Sequence, residues 1–311
     1  MIFYEPDTGN AVIFKPVEYT INDGFTLRGW CTEKRGLPVI VFSHGNGFSA
    51  GTYFPMLNVL AREFDLVMLD HPGHGRSDQV HPYAGWNKTA EYTHEGLQSL
   101  LRGYSSQVFA VGHSLGGVLL LLSTFQHPQS YRGLVLLDPV LFPRSMLMFM
   151  RLVSAVGMTA RIHPFVKPTL RRKSSWASRE EAIGYLRGRV TYKRWSDESL
   201  SSFANHALTE SPGGVLSLCC PPSQEADYFS TLPDKLWASL KSISCDTRLY
   251  MGEDTYPFAL RAARTAAKIN DKITMSVVPG DHCFMQESPE LAAEGVRKTI
   301  VDLLEPESGA R

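Results

Sequence analysis

Ser114 stands in Gly112-His113-Ser114-Leu115-Gly116, a serine with a glycine two positions away on either side. The apolar run at 108–111 precedes it and the helix-compatible run at 118–122 follows it, so the spacing predicts a strand that turns sharply into a helix with the serine at the turn. Such a turn strains its middle residue, and the glycines remove side chains that would clash there. The hydroxyl is then presented at a sheet edge, beside the positive end of the helix. This is the arrangement for nucleophilic attack on a carbonyl carbon. A serine hydroxyl attacks poorly until a base takes its proton, so a histidine oriented by a carboxylate is required elsewhere in the chain.

His282, in Pro279-Gly280-Asp281-His282-Cys283-Phe284, follows the last predicted strand and precedes the last predicted helix, which places it on a loop at the same sheet edge. No other histidine of the chain occupies such a position, and His282 is the expected base. Two aspartates end strands and could orient it. Asp254, in Met251-Gly252-Glu253-Asp254, closes the penultimate strand; Asp138, in Leu136-Leu137-Asp138-Pro139, closes the strand before a long interruption. Asp254 is the expected acid and Asp138 the alternative, with Glu253 behind both and Asp281 too close to His282 in sequence to face its ring. Acyl transfer also needs donors for the developing oxyanion. Leu115 N–H is one; the second is expected from Asn46 or Gly47, in the loop Ser43-His44-Gly45-Asn46-Gly47-Phe48.

These residues need a scaffold that brings them to one rim. Residues 18–21 and 25–30 alternate around Asn22-Asp23-Gly24 and predict an opening hairpin. Short apolar runs at 38–42, 64–69, 107–111 and 134–137 suit strands buried on both faces, with helical stretches near 52–62, 88–102 and 115–127 between them. The alternation predicts an α/β, doubly wound, mostly parallel sheet. The rhythm breaks after Asp138-Pro139 and returns with strands at 247–251 and 273–278 and helices near 257–269 and 289–304. The expected organisation is therefore a core of residues 1–142 and 236–311 with a helical cap inserted at 143–235.

The cap carries 13 Arg and Lys against 8 Asp and Glu, a basic surface that an anionic substrate group could use or that solvent alone could cover. Its segment near 146–156 is rich in Met and Leu. This is either cap interior or a pliable wall over a pocket, with Met146 and Met150 as candidate substrate contacts beside His44, Phe48 and His113.

Together the motifs resemble the α/β-hydrolase superfamily: residues 44–48 its oxyanion loop, Asp70-His71-Pro72-Gly73-His74-Gly75-Arg76-Ser77 its D-x-x-G-x-G-x-S signature, residues 112–117 its nucleophile elbow and residues 280–282 its histidine loop. The resemblance spans nearly the whole core and implies a capped esterase or lipase-like member. One departure is that Asp254 lies two residues after Gly252, where family members commonly place the acid three or more residues on; some capped relatives take the acid from the strand that Asp138 ends. A serine at 114, where dehalogenases and epoxide hydrolases of this fold carry aspartate, argues against both those chemistries.

The expected activity is hydrolysis of a small or lipid-like carboxylic ester through an acyl-serine intermediate. Cleavage of a C–C bond or thioester by the same groups is the alternative, and a ligand receptor on the same scaffold a further one. With 31 basic and 31 acidic side chains the chain presents no global field for nucleic acid or anionic membrane. No long charge-free apolar run suggests a bilayer span, and the amino terminus has no basic, then apolar, leader pattern, so the expected location is the cytoplasm. The expected partner is a small-molecule ester, and the oligomeric state is not readable from these residues. Five cysteines without a paired framework are expected to be free thiols. His71, His74 and His81 lie in a Pro/Gly loop without ligand spacing, and no phosphate or dinucleotide loop is present, so neither metal nor cofactor is expected.

Overall fold

The apolar runs pair into one sheet because each has both faces to bury. In the computed structural model, which describes residues 12–158 and 162–305, eight strands lie side by side. They are β1 (Lys15–Thr20), β2 (Thr26–Cys31), β3 (Val39–Ser43), β4 (Asp65–Leu69), β5 (Val108–His113), β6 (Gly133–Leu137), β10 (Asp246–Gly252) and β11 (Ile273–Val278), in the spatial order β1-β2-β4-β3-β5-β6-β10-β11. The hairpin β1–β2 joins β4 antiparallel, and every pairing from β4 to β11 is parallel. All residues of β3, β4, β5 and β6 are buried, as expected where helices cover both faces. The amino-terminal stretch examined for a leader pattern lies outside the described residues.

The covering helices are α1 (Phe54–Leu60), α2 (Trp86–Leu100), α3 (Leu115–Gln126), then, after the insertion, α9 (Leu236–Ser242), α10 (Pro257–Ile269), α11 (Phe284–Glu287) and α12 (Pro289–Leu304). The insertion between β6 and β10 holds α4 (Arg144–Ala155), α5 (Val166–Leu170), α6 (Arg179–Arg187), α7 (Asp197–His206) and α8 (Pro222–Ser230). It also holds three short strands, β7 (Ser175–Trp176), β8 (Leu208–Glu210) and β9 (Leu216–Leu218), which form a second antiparallel sheet in the order β7-β9-β8. The expected all-helical insertion is corrected in this respect: strands of two or three residues are too short for an alternating pattern to register.

Two apolar clusters, one on each face of the main sheet, form the core. Leu27, Val41, Leu119, Leu134 and Ala263 pack on one side, and Ile40, Phe42, Leu57, Phe109 and Val296 on the other. Burying one such Leu or Ile side chain contributes about 1.5–3 kcal/mol, so the alternation of inward residues along each strand sets register as well as stability. That register decides which strand ends meet: His113 pairs with Leu137, and Leu137 in turn with Tyr250. The last residues of β5, β6 and β10 thus lie along one edge. No helix among the described residues is long and apolar enough to cross a membrane.

Candidate active site

Ser114 lies between β5 and α3 with φ 52° and ψ −115°, a left-handed backbone that a serine adopts only when its surroundings impose it. Gly116 shows how it is imposed. A Cβ at that position would fall 2.2 Å from Ser43 O and 2.6 Å from His44 O, so only glycine lets the first turn of α3 press against the chain leaving β3. The turn and the loop at 44–48 are therefore packed backbone to backbone.

The Ser114 hydroxyl donates to His282 Nε2 at 2.9 Å, and His282 Nδ1–H donates to Asp138 Oδ1 at 2.8 Å. Asp138 is wholly buried, and its carboxylate is fully employed: Oδ1 also accepts from Thr255 Oγ1 at 2.6 Å, and Oδ2 accepts from Gly252 N–H at 2.7 Å. Such donors fix the direction of the carboxylate. Asp138 itself has φ 44° and is anchored by its N–H to Tyr250 O at 2.7 Å, so β6 ends in a turn that aims the side chain across the end of β10.

The expected placement of Asp254 beside His282 is corrected. The chain turns immediately after β10, with Thr255 N–H bonded to Gly252 O, and Asp254 projects outward, 58% exposed, to pair with Arg194 at 2.7 Å. The two-residue spacing after Gly252 is too short to bring Asp254 back over the ring, and Thr255 occupies the near side as a donor to Asp138. The unusual spacing was the signal for this in the sequence; the role of Thr255 had none.

Among the backbone N–H groups near Ser114 without a hydrogen-bond partner among the described residues are those of Leu115 and Asn46. The first is unpaired because it opens a helix. Of the two candidates in the loop, Asn46 lines the cavity over Ser114 and Gly47 does not. The Asn46 side chain clamps the loop: Nδ2–H donates to Glu225 O at 3.1 Å, and Oδ1 lies 3.2 Å from His74 Nε2.

His113 and His44, expected against substrate, are both wholly buried with their ring nitrogens spent on the protein; His113 borders the cavity over Ser114 and His44 does not. His113 Nε2–H donates to His282 O at 2.9 Å, Tyr53 Oη–H donates to His113 Nδ1 at 2.7 Å, and Gly45 N–H donates to Tyr53 Oη at 3.0 Å. Burial holds the His113 imidazole well below, and the Tyr53 phenol well above, their ordinary ranges, so both stay neutral and the chain of donors has one direction. It ties the loop after β3 to the loop carrying His282. No motif pointed to Tyr53.

His44 Nδ1–H donates to Gly45 O at 2.8 Å, and its Nε2 accepts from His71 N–H at 2.9 Å. The rings of His44, His71 and His74 meet at tilted angles under the loop, where burial lowers His71 to about 3 and His74 to about 4. Asp70, from the glycine-rich signature, accepts from Ala50 N–H at 2.7 Å and Arg76 N–H at 2.9 Å and is raised by burial to about 6. These groups brace the chain rather than face a ligand. Among the described residues no cluster of His, Cys, Asp and Glu is arranged to hold a metal ion, and the five cysteines are free.

A cavity of about 710 Å³ opens over Ser114 and His282. Phe48 and Met146 line it, together with Trp86, Phe142, Phe165 and Phe258. Met150 does not: it lines a separate hollow with Phe229 and Leu232, because α4 presents Met146 and Met150 to different neighbours.

A family model described as the alpha/beta hydrolase family matches residues 40–294. A putative carbamate hydrolase RutD of Yersinia enterocolitica is 27% identical over 65% of this chain and 78% of its own length. The monoglyceride lipase of Homo sapiens is 27% identical over 43% of this chain and 46% of its own length. Among solved structures, an E-2-(acetamidomethylene)succinate hydrolase superposes with a TM-score of 0.72 at 20% identity, covering 93% of this chain and 100% of that one. An esterase of M. tuberculosis superposes with a TM-score of 0.70 at 19% identity, covering 94% and 93%. At these identities the structural likeness bears on the fold alone.

Proposed function

From the premise that this chain belongs to the alpha/beta hydrolase family, we propose that it is a serine hydrolase that cleaves a carboxylic ester through an acyl-Ser114 intermediate. The observation that carries the reading is the line Ser114 Oγ, His282 Nε2, His282 Nδ1, Asp138 Oδ1, continuous at hydrogen-bond distances of 2.9 and 2.8 Å. Coarser support comes from relatives named as a hydrolase of carbamates and a lipase of monoglycerides.

In the acylation step His282 Nε2 takes the Ser114 proton as Oγ attacks the ester carbon. The resulting imidazolium is held by the Asp138 carboxylate, which keeps its own charge. The tetrahedral oxyanion is met by Leu115 N–H and Asn46 N–H, dipoles already in place before reaction, so no reorganisation cost falls on the barrier. Collapse expels the alcohol, protonated by His282. Water then repeats the sequence on the acyl-enzyme, with His282 again as base, and releases the acid.

An uncharged ester arm has ample apolar surface to bind, since Trp86, Phe142, Phe165 and Phe258 line the same cavity as Ser114. Incubation with a fluorophosphonate probe, which phosphonylates an activated serine, tests the reading. Stoichiometric labelling of Ser114, absent in Ser114→Ala, is expected together with turnover of 4-nitrophenyl acyl esters; folded protein that neither takes the label nor turns over any ester would discard it.

A further inference from the structure

The cap contributes charge as well as apolar wall to the cavity. Arg171, Arg172 and Lys173, which follow α5, and Arg189, just beyond α6, line the same cavity as Ser114 and His282. Glu225, on α8, is the acidic residue lining it. Arg172 and Glu225 are mostly buried, where an unbalanced charge is costly, whereas Arg171, Lys173 and Arg189 are exposed and open to an incoming group.

The balance within the protein is incomplete. Arg172 pairs with Glu225 at 2.7 Å and Lys173 with Glu181 at 2.6 Å. Arg171 and Arg189 have no carboxylate partner among the described residues, and the buried Nε and Nη2 of Arg172 make no hydrogen bond. Of the two unpaired arginines, Arg189 is held in place by an aromatic ring that Lys173 shares. The Arg189 guanidinium stacks on the Tyr185 ring at 4.1 Å and the Lys173 ammonium stands 5.4 Å from the same ring, so two cations are gathered on one aromatic platform. Guanidinium groups present planar forks of donors matched to the oxygens of a carboxylate or phosphate.

We propose that the substrate carries an anionic oxyacid group, carboxylate or phosphate, on the arm remote from the scissile carbonyl, and that Arg171, Arg172 and Arg189 receive it within the cap-lined part of the cavity. This rests on the acyl-serine reading and narrows its substrate class. Binding such a group supplies the missing counter-charge, and the aromatic wall takes the apolar segment between anion and ester.

The test compares full-length protein on mono-4-nitrophenyl esters of adipate, suberate and sebacate with 4-nitrophenyl hexanoate, octanoate and decanoate, and on an ω-phosphate ester of matching length. For at least one length kcat/KM is expected to favour the anionic ester over its neutral counterpart by about tenfold or more, as charge-assisted hydrogen bonds would give. The larger of the carboxylate and phosphate ratios identifies the group. In the doubly substituted Arg171→Gln/Arg189→Gln protein that ratio should fall by about tenfold, whereas Arg179→Gln, which removes a cation paired with Glu210 outside the cavity, should leave the ratio in place. A ratio at or below one for every length, or one unmoved by the double substitution, overturns the anion site. Fluorophosphonate labelling separates the two ideas: labelled protein without an anion preference keeps the acyl-serine reading and loses this one, and protein without label or turnover loses both.

Discussion

Asp138 Oδ1 lies 2.8 Å from His282 Nδ1, across 144 residues of sequence and the whole insertion between β6 and β10. The pairing exists because β6 and β10 are neighbours in the sheet, so the turn that ends one strand reaches across the end of the other. Its consequences can be tested by removing charge without changing shape.

Asp138→Asn keeps the volume but disturbs the donor order around the ring, since an amide NH₂ turned toward Nδ1 favours the wrong tautomer. We expect kcat to fall by about three to four orders of magnitude. Asp254→Asn, at an exposed surface ion pair, should leave kcat within about twofold. Steady-state rates on a 4-nitrophenyl ester check both, and the opposite ranking would return the acid to Asp254.

Tyr53→Phe deletes one oxygen and strands two buried groups, Gly45 N–H and His113 Nδ1. The loss of stability should be about 1–3 kcal/mol, read from urea unfolding. Because the same hydroxyl links the loop after β3 to the loop of His282, kcat should fall with KM little altered. A variant as active and as stable as the parent would show that the link is idle.

Gly47 has φ 78°, and a Cβ added there would sit 3.0 Å from the Glu225 carboxyl carbon. Left-handed backbone costs a residue with a Cβ about 1–2 kcal/mol. Gly47→Ala should therefore shift the adjoining Asn46 N–H and reduce kcat by about tenfold or more while Ser114 still labels, if slowly. Unchanged kcat would remove this loop from oxyanion binding.

His71 and His74 are held neutral by burial, at about 3 and about 4 against an ordinary 6.5. Their folded values lie below their unfolded ones. The stability they contribute is thus complete above pH 6.5 and is lost as pH falls from there through about 4 for His74 and about 3 for His71, because the unfolded chain takes up protons that the folded chain refuses. Thermal unfolding followed over that window should show Tm dropping with acidity, with a shallower slope in His74→Gln. An equal slope in the variant would mean His74 is not one of the groups concerned.

The sequence by itself determined the sheet-and-helix order, the strand-to-helix turn at Ser114 and the loop carrying His282, because each is written in a few consecutive residues that govern their own backbone. Gly112 to Gly116 can make only a narrow set of turns, and helices at 257–269 and 289–304 follow from local periodicity. Tertiary structure alone decided between Asp138 and Asp254, since both end strands and the choice depends on how β6 and β10 are registered and how tightly the chain turns after Gly252. It also decided that His44 and His113 turn inward as braces, that Tyr53 joins them, and that Met150 faces away from the cavity while Arg171, Arg172 and Arg189 face into it. Those are contacts between residues far apart in the chain, set by side-chain direction and packing, which neighbouring residues in sequence do not specify.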